Sequence, residues 1–345
     1  MAFEGVNLVI IATFVTLGTL ASQATSRSLY EASIAEKHEQ WMEKYGRIYA
    51  DSEEKERRFA IFMKNVEFVE KSNNEGNKTY KLSINKFSDM TNEEFIRHHS
   101  GFKIPTSSNS TLSNNKSFRY QSLASTDVPS NMNWKEKGAV TGIKYQGQCG
   151  ACWAFSTVAA VEGLIQIKTG QLIPLSEQQL VDCDKSNNGC GGGFMVEAFQ
   201  YIIQNGGIAS EENYQYQSMD MEICDTNKES KHSAKITGFE EVPPSSENDL
   251  LKAVSMQPVS VAIDAHGEEF QQYHSGVFSG DCGTHLTHAV TAIGYGTTED
   301  GIDYWLLKNS WGENWGENGY MKIKRNVDAP EGMCGLAMKA SYPTA

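Results

Sequence analysis

The sequence lacks an apolar run long enough to cross a membrane, since the longest one, Leu8 to Ala21, is shorter than the roughly 20 residues that a spanning helix needs. It also lacks an excess of positive charge, because the net charge is −13 over 345 residues. Up to Asp127, 16 Lys and Arg stand against 16 Asp and Glu, so the whole net charge falls in the residues from Val128 onward. Such an acidic region repels nucleic acid phosphates and anionic lipids, which excludes both as expected partners.

The composition, 39% apolar and 21% charged, is typical of a soluble globular protein, and the length favours about two domains. The N-terminal apolar run ends in Ala21-Ser-Gln-Ala24, which predicts a secretory signal peptide over 1–24, although no Lys or Arg precedes the run. We therefore expect a protein of the secretory pathway, in a vacuole or lysosome-like compartment or outside the cell. The final residues, Tyr-Pro-Thr-Ala, contain no retention signal and leave these destinations open.

No cysteine occurs before residue 149, and the seven that follow are Cys149, Cys152, Cys183, Cys190, Cys224, Cys282 and Cys334. An odd number in an oxidising compartment predicts three disulfides and one free thiol, with the pairing left open. The chain does not contain two CxxC pairs, as a zinc site of cysteines would, and the eight histidines do not cluster. We therefore expect no metal site and no cofactor.

The chain has three segments after the apolar run. A charged, helix-forming stretch lies at about 36–97, a polar linker runs from Pro105 to Thr126, and a Gly- and Cys-rich body follows. Acceptors for Asn-linked glycosylation occur at Asn77, Asn109 and Asn115, which indicates that this part of the chain is exposed and secreted.

In the first segment, six residues recur at spacings of 4, 4, 3, 4 and 4: Glu54, Arg58, Phe62, Asn65, Val69 and Asn73. At about 100° per residue they share one helical face. Because this face mixes charged, amide and apolar side chains, we expect it both to pack and to form hydrogen bonds.

The body begins with a stretch, Trp153 to Ile167, that is apolar on nearly every side and predicts a buried helix. Short β-type runs follow at Val259–Ile263, His288–Ile293 and Tyr304–Leu307, separated by Gly-rich turns. A helical half followed by a stranded half predicts two lobes with a cleft between them.

Cys152 lies where a loop meets the start of this helix. A helix N-terminus carries about half a positive charge and favours thiolate over thiol, so Cys152 is a candidate nucleophile. The spacing of Cys149 and Cys152 also fits a thiol-disulfide oxidoreductase, and a purely structural cysteine is the simplest alternative.

The loop from Gln146 to Phe155, together with Thr287-His-Ala-Val-Thr-Ala-Ile and Lys308-Asn-Ser-Trp-Gly, resembles the papain family of cysteine proteases. The six-residue helical face resembles the E-R-F-N-I-N motif of the family's propeptides, with Val69 in place of Ile. Asn85-X-Phe87-X-Asp89 resembles a second propeptide motif, with Ser83 in place of its glycine. The resemblance runs from about 36 to 343 and is closest to a plant subgroup that includes senescence-associated proteases.

The resemblance implies an α+β fold: a helical lobe and a β-barrel-like lobe, preceded by a helical propeptide. It implies an inhibitory propeptide over 25–127 and a mature peptidase domain over 128–345. It further implies a Cys152 nucleophile and a His288 proton carrier, with Asn309 orienting the His288 ring. Gln146 then binds the oxyanion and Trp311 shields the His288–Asn309 bond. His285 competes for the histidine role, but its loop position favours the surface.

By the same resemblance the disulfides are Cys149–Cys190, Cys183–Cys224 and Cys282–Cys334, leaving Cys152 free. The substrate-binding positions are Phe194, Met195, Ala262, Leu286, Ala289, Lys339, Gly192, Gly193 and Trp311. Most pocket residues are apolar, so we expect preference for a bulky apolar side chain two residues before the cleaved bond. Lys339 favours an acidic side chain there if it points inward, and has no effect if it points to water.

The implied activity is hydrolysis of internal peptide bonds by a monomeric zymogen. Its expected partners are protein substrates, its own propeptide and cystatin-type inhibitors. We expect acid to release the propeptide by protonating carboxylates such as Glu54 and Asp89. The alternatives are an inactive homologue, and an oxidoreductase that uses Cys149 with Cys152.

Overall fold

The computed structural model describes residues 27, 29–104, 118–221 and 223–345. The predicted signal peptide and the acceptors Asn109 and Asn115 lie outside the described residues. The described chain divides into two units, which we treat separately. One holds the residues up to Lys71 with Ser88–Met90, and the other holds Ser72–Phe87 with the residues from Thr91 onward. In this described part of the chain, no helix is both long enough and apolar enough to cross a membrane.

The helices are α1 (29–45), α2 (Ser52–Asn74), α3 (Asn92–His99), α4 (Cys152–Thr169), α5 (Glu177–Cys183), α6 (Met195–Gln204), α7 (Thr226–Glu229), α8 (Glu247–Met256) and α9 (Glu268–Gln271), with short 3-10 helices at Ser125–Asp127, Gly189–Gly191 and Met333–Gly335. The strands are β1 (Tyr80–Leu82), β2 (Met132–Asn133), β3 (Ile208–Ala209), β4 (His232–Ala234), β5 (Gly238–Glu241), β6 (Val259–Ile263), β7 (Tyr273–Phe278), β8 (His288–Thr297), β9 (Asp303–Lys308), β10 (Tyr320–Lys324) and β11 (Ala340–Thr344).

The first unit is held together by α1 and α2. Phe62 of α2 is fully buried, and its ring centroid lies 5.2 Å from that of Trp41 on α1. The side-chain amide of Asn65 donates to the carbonyl oxygens of Ser88 and Met90 at 2.9 and 3.0 Å. The face predicted from the sequence both packs and forms hydrogen bonds, so this prediction is confirmed.

The helical part of the second unit is centred on α4. Its residues from Cys152 to Ile165 are all buried, which confirms the predicted central helix. The helix ends at Gly170, whose φ of 76° is a left-handed conformation that glycine adopts without strain. Such complete burial explains why the sequence shows no amphipathic pattern here.

The stranded part of the second unit is a mixed sheet in the order β1-β7-β10-β9-β8-β6-β11-β5, with β2 on β8 and with β3 and β4 forming a separate pair. The three strands predicted from the sequence are β6 and parts of β8 and β9. The ladder ends at β1 and β5, and these two strands do not pair with each other. The expected barrel-like lobe is therefore an open sheet.

Three disulfides join Cys149 to Cys190, Cys183 to Cys224 and Cys282 to Cys334, which is the pairing that the resemblance implies. The only free cysteine is Cys152, and all seven cysteines lie in the described part of the chain. Closing three loops in this way restricts the unfolded chain and stabilises the fold.

Candidate active site

Cys152 is the first residue of α4, and it is completely buried. The preceding residue, Ala151, makes no side-chain capping bond, so the helix presents its first N–H groups and their partial positive charge to the thiol. Burial nevertheless raises the pKa of the Cys152 thiol to about 12. In the structure as it stands, the helix end favours the thiolate and burial opposes it, and burial prevails.

His288 begins β8, and Asn309 directly follows β9, the strand paired with β8. The His288 Nε2 and the Asn309 Oδ1 are 2.8 Å apart, and the same Oδ1 accepts a bond from the Ser310 amide at 2.7 Å. Because an oxygen that accepts from Ser310 must also accept from His288, Nε2 carries the proton. The Nδ1 of His288 is buried and forms no hydrogen bond within the described chain.

The environment of His288 is apolar. Trp311 stacks on its ring at 4.4 Å between centroids and an interplanar angle of 27°. Burial lowers the pKa of His288 to about 4, although the bond to Asn309 partly offsets this. Because this region excludes water, the attraction between a charged His288 ring and a neighbouring thiolate is stronger than it would be in solvent.

Gln146 lies beside the start of α4 and is fully buried. Its Oε1 accepts from the Ser310 hydroxyl at 2.6 Å, which fixes the amide so that Nε2 points away from Ser310. The Nε2 donates to the carbonyl oxygens of Cys149 at 2.9 Å and of His99 at 3.4 Å. The amide is therefore held as a donor and aimed at a backbone carbonyl.

The carbonyl of His99 belongs to an N-terminal stretch, His99 to Lys103, that we call the cleft segment. The amides of Gly101 and Phe102 both donate to the Thr287 oxygen, at 3.0 and 2.9 Å. Gly193 donates to the Gly101 oxygen at 2.8 Å and accepts from the Lys103 amide at 2.9 Å. The chain's own backbone thus lies along the residues predicted to bind substrate.

Comparison with known proteins agrees with this geometry. Residues 128–344 match the papain family of cysteine proteases, and residues 38–95 match the cathepsin propeptide inhibitor domain. The chain belongs to the papain family. It is a cysteine endopeptidase made as a zymogen, with its own propeptide as an intramolecular inhibitor.

Relatives of this papain-family protease include the senescence-specific cysteine protease SAG12 of Arabidopsis thaliana, 50% identical over 91% of both chains. Another is the senescence-specific cysteine protease SAG39 of Oryza sativa subsp. japonica, also 50% identical over 91% of both. Among solved structures, the recombinant stem bromelain precursor is 45% identical with a TM-score of 0.82, over 90% of this chain and 99% of that one. The proform of the ragweed pollen allergen Amb a 11 is 40% identical with a TM-score of 0.81, over 90% and 94%.

Phe102 of the cleft segment lies among the residues predicted to form the specificity pocket of the protease. Phe102 is 7% exposed and belongs to the buried cluster that includes Phe194, Met195, Ala262 and Ala289. Its ring centroid lies 5.7 Å from that of Phe194 in an edge-to-face arrangement. The pocket is therefore apolar and large enough for an aromatic side chain.

Two further predicted pocket residues, Leu286 and Lys339, line an open cavity beside Phe102. Leu286 packs against the same cluster, whereas Lys339 is half-buried. Gly192 lies under the cleft segment so closely that a side chain there would meet the Gly101 oxygen. The cleft segment therefore contacts residues predicted to bind substrate and, through the His99 oxygen, also Gln146 and Trp311.

Sequence reasoning missed Gly101, Phe102, Thr287 and Ser310. Thr287 acts through its backbone oxygen and Ser310 through its hydrogen bond to Gln146, and neither contact leaves a pattern in the sequence. A detectable signal was Gly101, which stands two residues after the helix that ends at His99. A Cβ on Gly101 would overlap the carbonyl of Gly150 in the nucleophile loop.

The disulfide of Cys149 to Cys190 removes the oxidoreductase alternative, because that activity needs free thiols at both 149 and 152. His285 is exposed, and its ring lies 5.0 Å from that of His266 in a tilted arrangement, which agrees with the expected surface role. The acceptor Asn77 is exposed in a turn with φ of 62°.

Proposed function

We propose that Cys152, His288, Asn309 and Gln146 carry the catalytic reaction of this cysteine endopeptidase. The observation that supports this most is the 2.8 Å bond from His288 to Asn309, which leaves Nδ1 without a partner in a chain with one free thiol. Nδ1 accepts the proton of Cys152, and the thiolate sulfur attacks the substrate carbonyl carbon. The backbone N–H of Cys152 and the Gln146 amide then bind the oxyanion.

The later steps use the same groups. The His288 imidazolium gives its proton to the leaving amine as the C–N bond breaks, which leaves an acyl-thioester on Cys152. Water, deprotonated by His288, attacks the carbonyl carbon of this thioester. The C–S bond then breaks, the carboxylic acid product leaves, and the Cys152 sulfur regains its proton from His288. Asn309 acts by holding the ring, and Trp311 acts by keeping water from the bond between them.

The test is an alkylation map of the processed protein together with a peptide-cleavage assay. We expect one labelled cysteine, Cys152, and complete loss of cleavage on labelling. Cys152→Ala should lower kcat by at least about 10⁴-fold. Labelling of Cys152 without any peptide cleavage would favour an inactive homologue instead.

Substrates are proteins with a bulky apolar residue two positions before the cleaved bond, because Phe102 occupies an apolar pocket in the precursor. In a peptide series varied at that position, Phe and Leu should exceed Ala by about tenfold in kcat/KM. Lys339 lines the cavity beside Phe102, so an ammonium group that points inward would favour Glu, and Lys339→Ala should then lower the Glu-to-Leu ratio selectively. An unchanged ratio would mean that the ammonium group stays in water.

Maturation removes residues 25–127, with a cut near Asp127, after the signal peptide over 1–24 has been removed. N-terminal sequencing of the processed protein tests this boundary.

The disulfides fit the oxidising secretory pathway, and a vacuole or lysosome-like compartment suits a protease that matures in acid. The mature form is a monomer inhibited by cystatin-type proteins, and Asn77, Asn109 and Asn115 are its precursor's glycosylation sites.

Acid release depends on a histidine rather than on the two carboxylates suggested by the sequence. Hydrogen bonds from Arg57 and Arg58 lower the pKa of Glu54 to about 2, but both arginines lie on the same helix as Glu54, so these bonds do not require contact with the peptidase. Burial raises the pKa of Asp89, which favours the folded, protonated state as the pH falls. His99, in the cleft segment, has the pKa shift that acid release requires. Burial in the docked state lowers its pKa to about 3, so the released histidine binds a proton more readily and docking weakens as the pH falls.

A further inference from the structure

A second N-terminal stretch contacts the peptidase away from the cleft. Phe118, Arg119 and Tyr120, which we call the anchor segment, lie upstream of the proposed cleavage near Asp127. The Nε of Arg119 donates to Glu240 Oε1 at 3.0 Å, and the Arg119 amide donates to Oε2 at 3.2 Å. Both carboxylate oxygens of Glu240 thus bind one residue of the anchor segment.

Aromatic rings complete this contact. Tyr120 stacks on Tyr342 at 5.5 Å with an interplanar angle of 30°, and Phe118 lies edge-on to both rings. The Tyr120 hydroxyl reaches Gln257 Oε1 at 3.5 Å, and the Tyr342 hydroxyl donates to Glu240 at 2.7 Å. On the peptidase side, the surface that receives the anchor segment therefore consists of the Glu240 carboxylate, the Tyr342 ring and the Gln257 side chain.

This surface is separate from the cleft. Glu240 lies on β5 and Tyr342 on β11, and the sheet order from the catalytic strand outward is β8, β6, β11, β5. Neighbouring strands are about 4.8 Å apart, so β5 lies about 14 Å across the sheet from β8. A ligand on Glu240 therefore leaves the Cys152 site open.

We propose that Glu240, Tyr342 and Gln257 form a peptide-docking exosite of the protease, and that its occupant is the anchor segment of its own propeptide. The exosite recognises an aromatic–basic–aromatic sequence. It makes the propeptide a two-point ligand, since the cleft segment and the anchor segment belong to one chain and each raises the effective concentration of the other. This inference rests on the proposed cleavage near Asp127, which leaves the exosite on the mature enzyme and the anchor segment on the released piece.

Charge favours this occupant. The peptidase residues from Val128 onward carry the whole net charge of −13, so a basic peptide is attracted to the peptidase. In the precursor, Glu240 forms an ion pair with Arg119, and the side chains of Arg119 and Glu240 are 46% and 21% exposed. A half-exposed ion pair contributes little by itself, and the stacked rings add to it. The isolated contact should therefore be weak, with a Kd on the order of 0.1–1 mM.

The first experiment exchanges the charges in the full-length precursor. Cys152→Ala precursors serve as substrates for added wild-type mature enzyme, and the rate of cutting near Asp127 is measured. Arg119→Glu or Glu240→Arg alone should speed cutting about fivefold. Each removes the ion pair that holds the anchor segment, so the chain near Asp127 becomes more accessible to the added enzyme. The double variant should return to the original rate. Single variants cut at the original rate, or a double variant as fast as the singles, would overturn the proposal.

The second experiment uses a labelled peptide of residues 116–124 and mature enzyme alkylated at Cys152. We expect saturable binding despite the blocked cleft, at least fivefold weaker for the Arg119→Glu peptide and recovered by that peptide on Glu240→Arg enzyme. Glu240→Gln, which keeps an acceptor for Tyr342, is the variant to use if the reversal does not fold. Equal binding of both peptides, or no saturation at about 5 mM (at least five times the expected Kd), would refute the exosite.

Neither readout requires the alkylated or Cys152→Ala protein to be active, so failure of the exosite is distinct from failure of the catalytic assignment. N-terminal sequencing of the mature enzyme reports the cleavage position independently. Hydrolysis of a short peptide by Glu240→Arg enzyme should equal that of wild type, since Glu240 is not among the catalytic residues.

Discussion

The cleft segment and the anchor segment contact the same peptidase in different ways. Across the cleft, Gly101, Phe102 and Lys103 bind through backbone N–H and C=O groups, with Phe102 adding one buried ring. The anchor segment binds through the Arg119 guanidinium and two aromatic rings. A backbone ladder accepts many sequences, whereas a charge and ring contact selects one. The cleft segment is therefore held largely by bonds that do not depend on its side chains.

The two segments should respond to mutation differently. The cleft segment lies against the nucleophile loop without space to spare, so added bulk should release it. The anchor segment is partly exposed, so loss of single atoms there should have little effect. The following four predictions test this contrast, from the largest effect to the smallest.

Gly101→Ala should largely abolish latency, because the added Cβ overlaps the Gly150 carbonyl and backbone cannot easily move aside. We expect alkylation of Cys152 in the uncut precursor at pH 7 to become about 100-fold faster. Gly142→Ala is the matched control, since a Cβ there meets nothing within 4 Å. If Gly101→Ala precursor is labelled as slowly as wild type, the cleft segment does not control access to Cys152.

Phe102→Ala should weaken latency less than this, because it removes buried ring contacts but keeps the backbone bonds. A loss of about 2 kcal/mol corresponds to roughly 30-fold faster labelling of Cys152. Phe102→Leu keeps an apolar side chain and should stay within about threefold of wild type. Equal rates for the Ala and Leu variants would show that the pocket contributes nothing to inhibition.

His99→Phe should shift activation toward lower pH. The docked state holds His99 neutral between Phe87 and Phe95, with Lys86, His98 and His288 as the charged or titratable neighbours. A released histidine gains its proton near pH 6.5, so docking is fully stable above that pH and weakens as the pH falls toward 3.

Removing this titration should lower the pH midpoint of autoactivation by about 0.5–1 unit, measured as the appearance of peptide-hydrolysing activity across a pH series. The control is His274→Gln, which changes an exposed histidine on β7. A midpoint identical to that of wild type would remove His99 as the acid trigger.

Tyr120→Phe should have the smallest effect, because it removes only the 3.5 Å bond to Gln257 and keeps the ring on Tyr342. We expect the rate of cutting near Asp127 to stay within about twofold of wild type. Tyr120→Ala, which also removes the stack, should be faster by severalfold. A large effect of Tyr120→Phe would mean that the hydroxyl, and not the ring, holds the anchor segment.

Much of the architecture was predictable from local patterns. The all-apolar stretch after Cys152 became α4, and the run Val259–Ile263 became β6 with the same bounds. Closure of the sheet was not predictable, because it depends on which edge strands meet. Here one edge is β1, a propeptide strand paired with β7, and the other is β5.

The sequence by itself determined the family, the elements and the types of the catalytic side chains, because periodicity and residue chemistry are local properties. Only the tertiary structure decided that Cys152 and His288 are buried, that Phe102 fills the pocket and that Arg119 meets Glu240. These are contacts between residues far apart in the chain, and their distances and desolvation exist only once the backbone has folded. Burial is the largest cause of the shifted pKa values of Cys152 and His99.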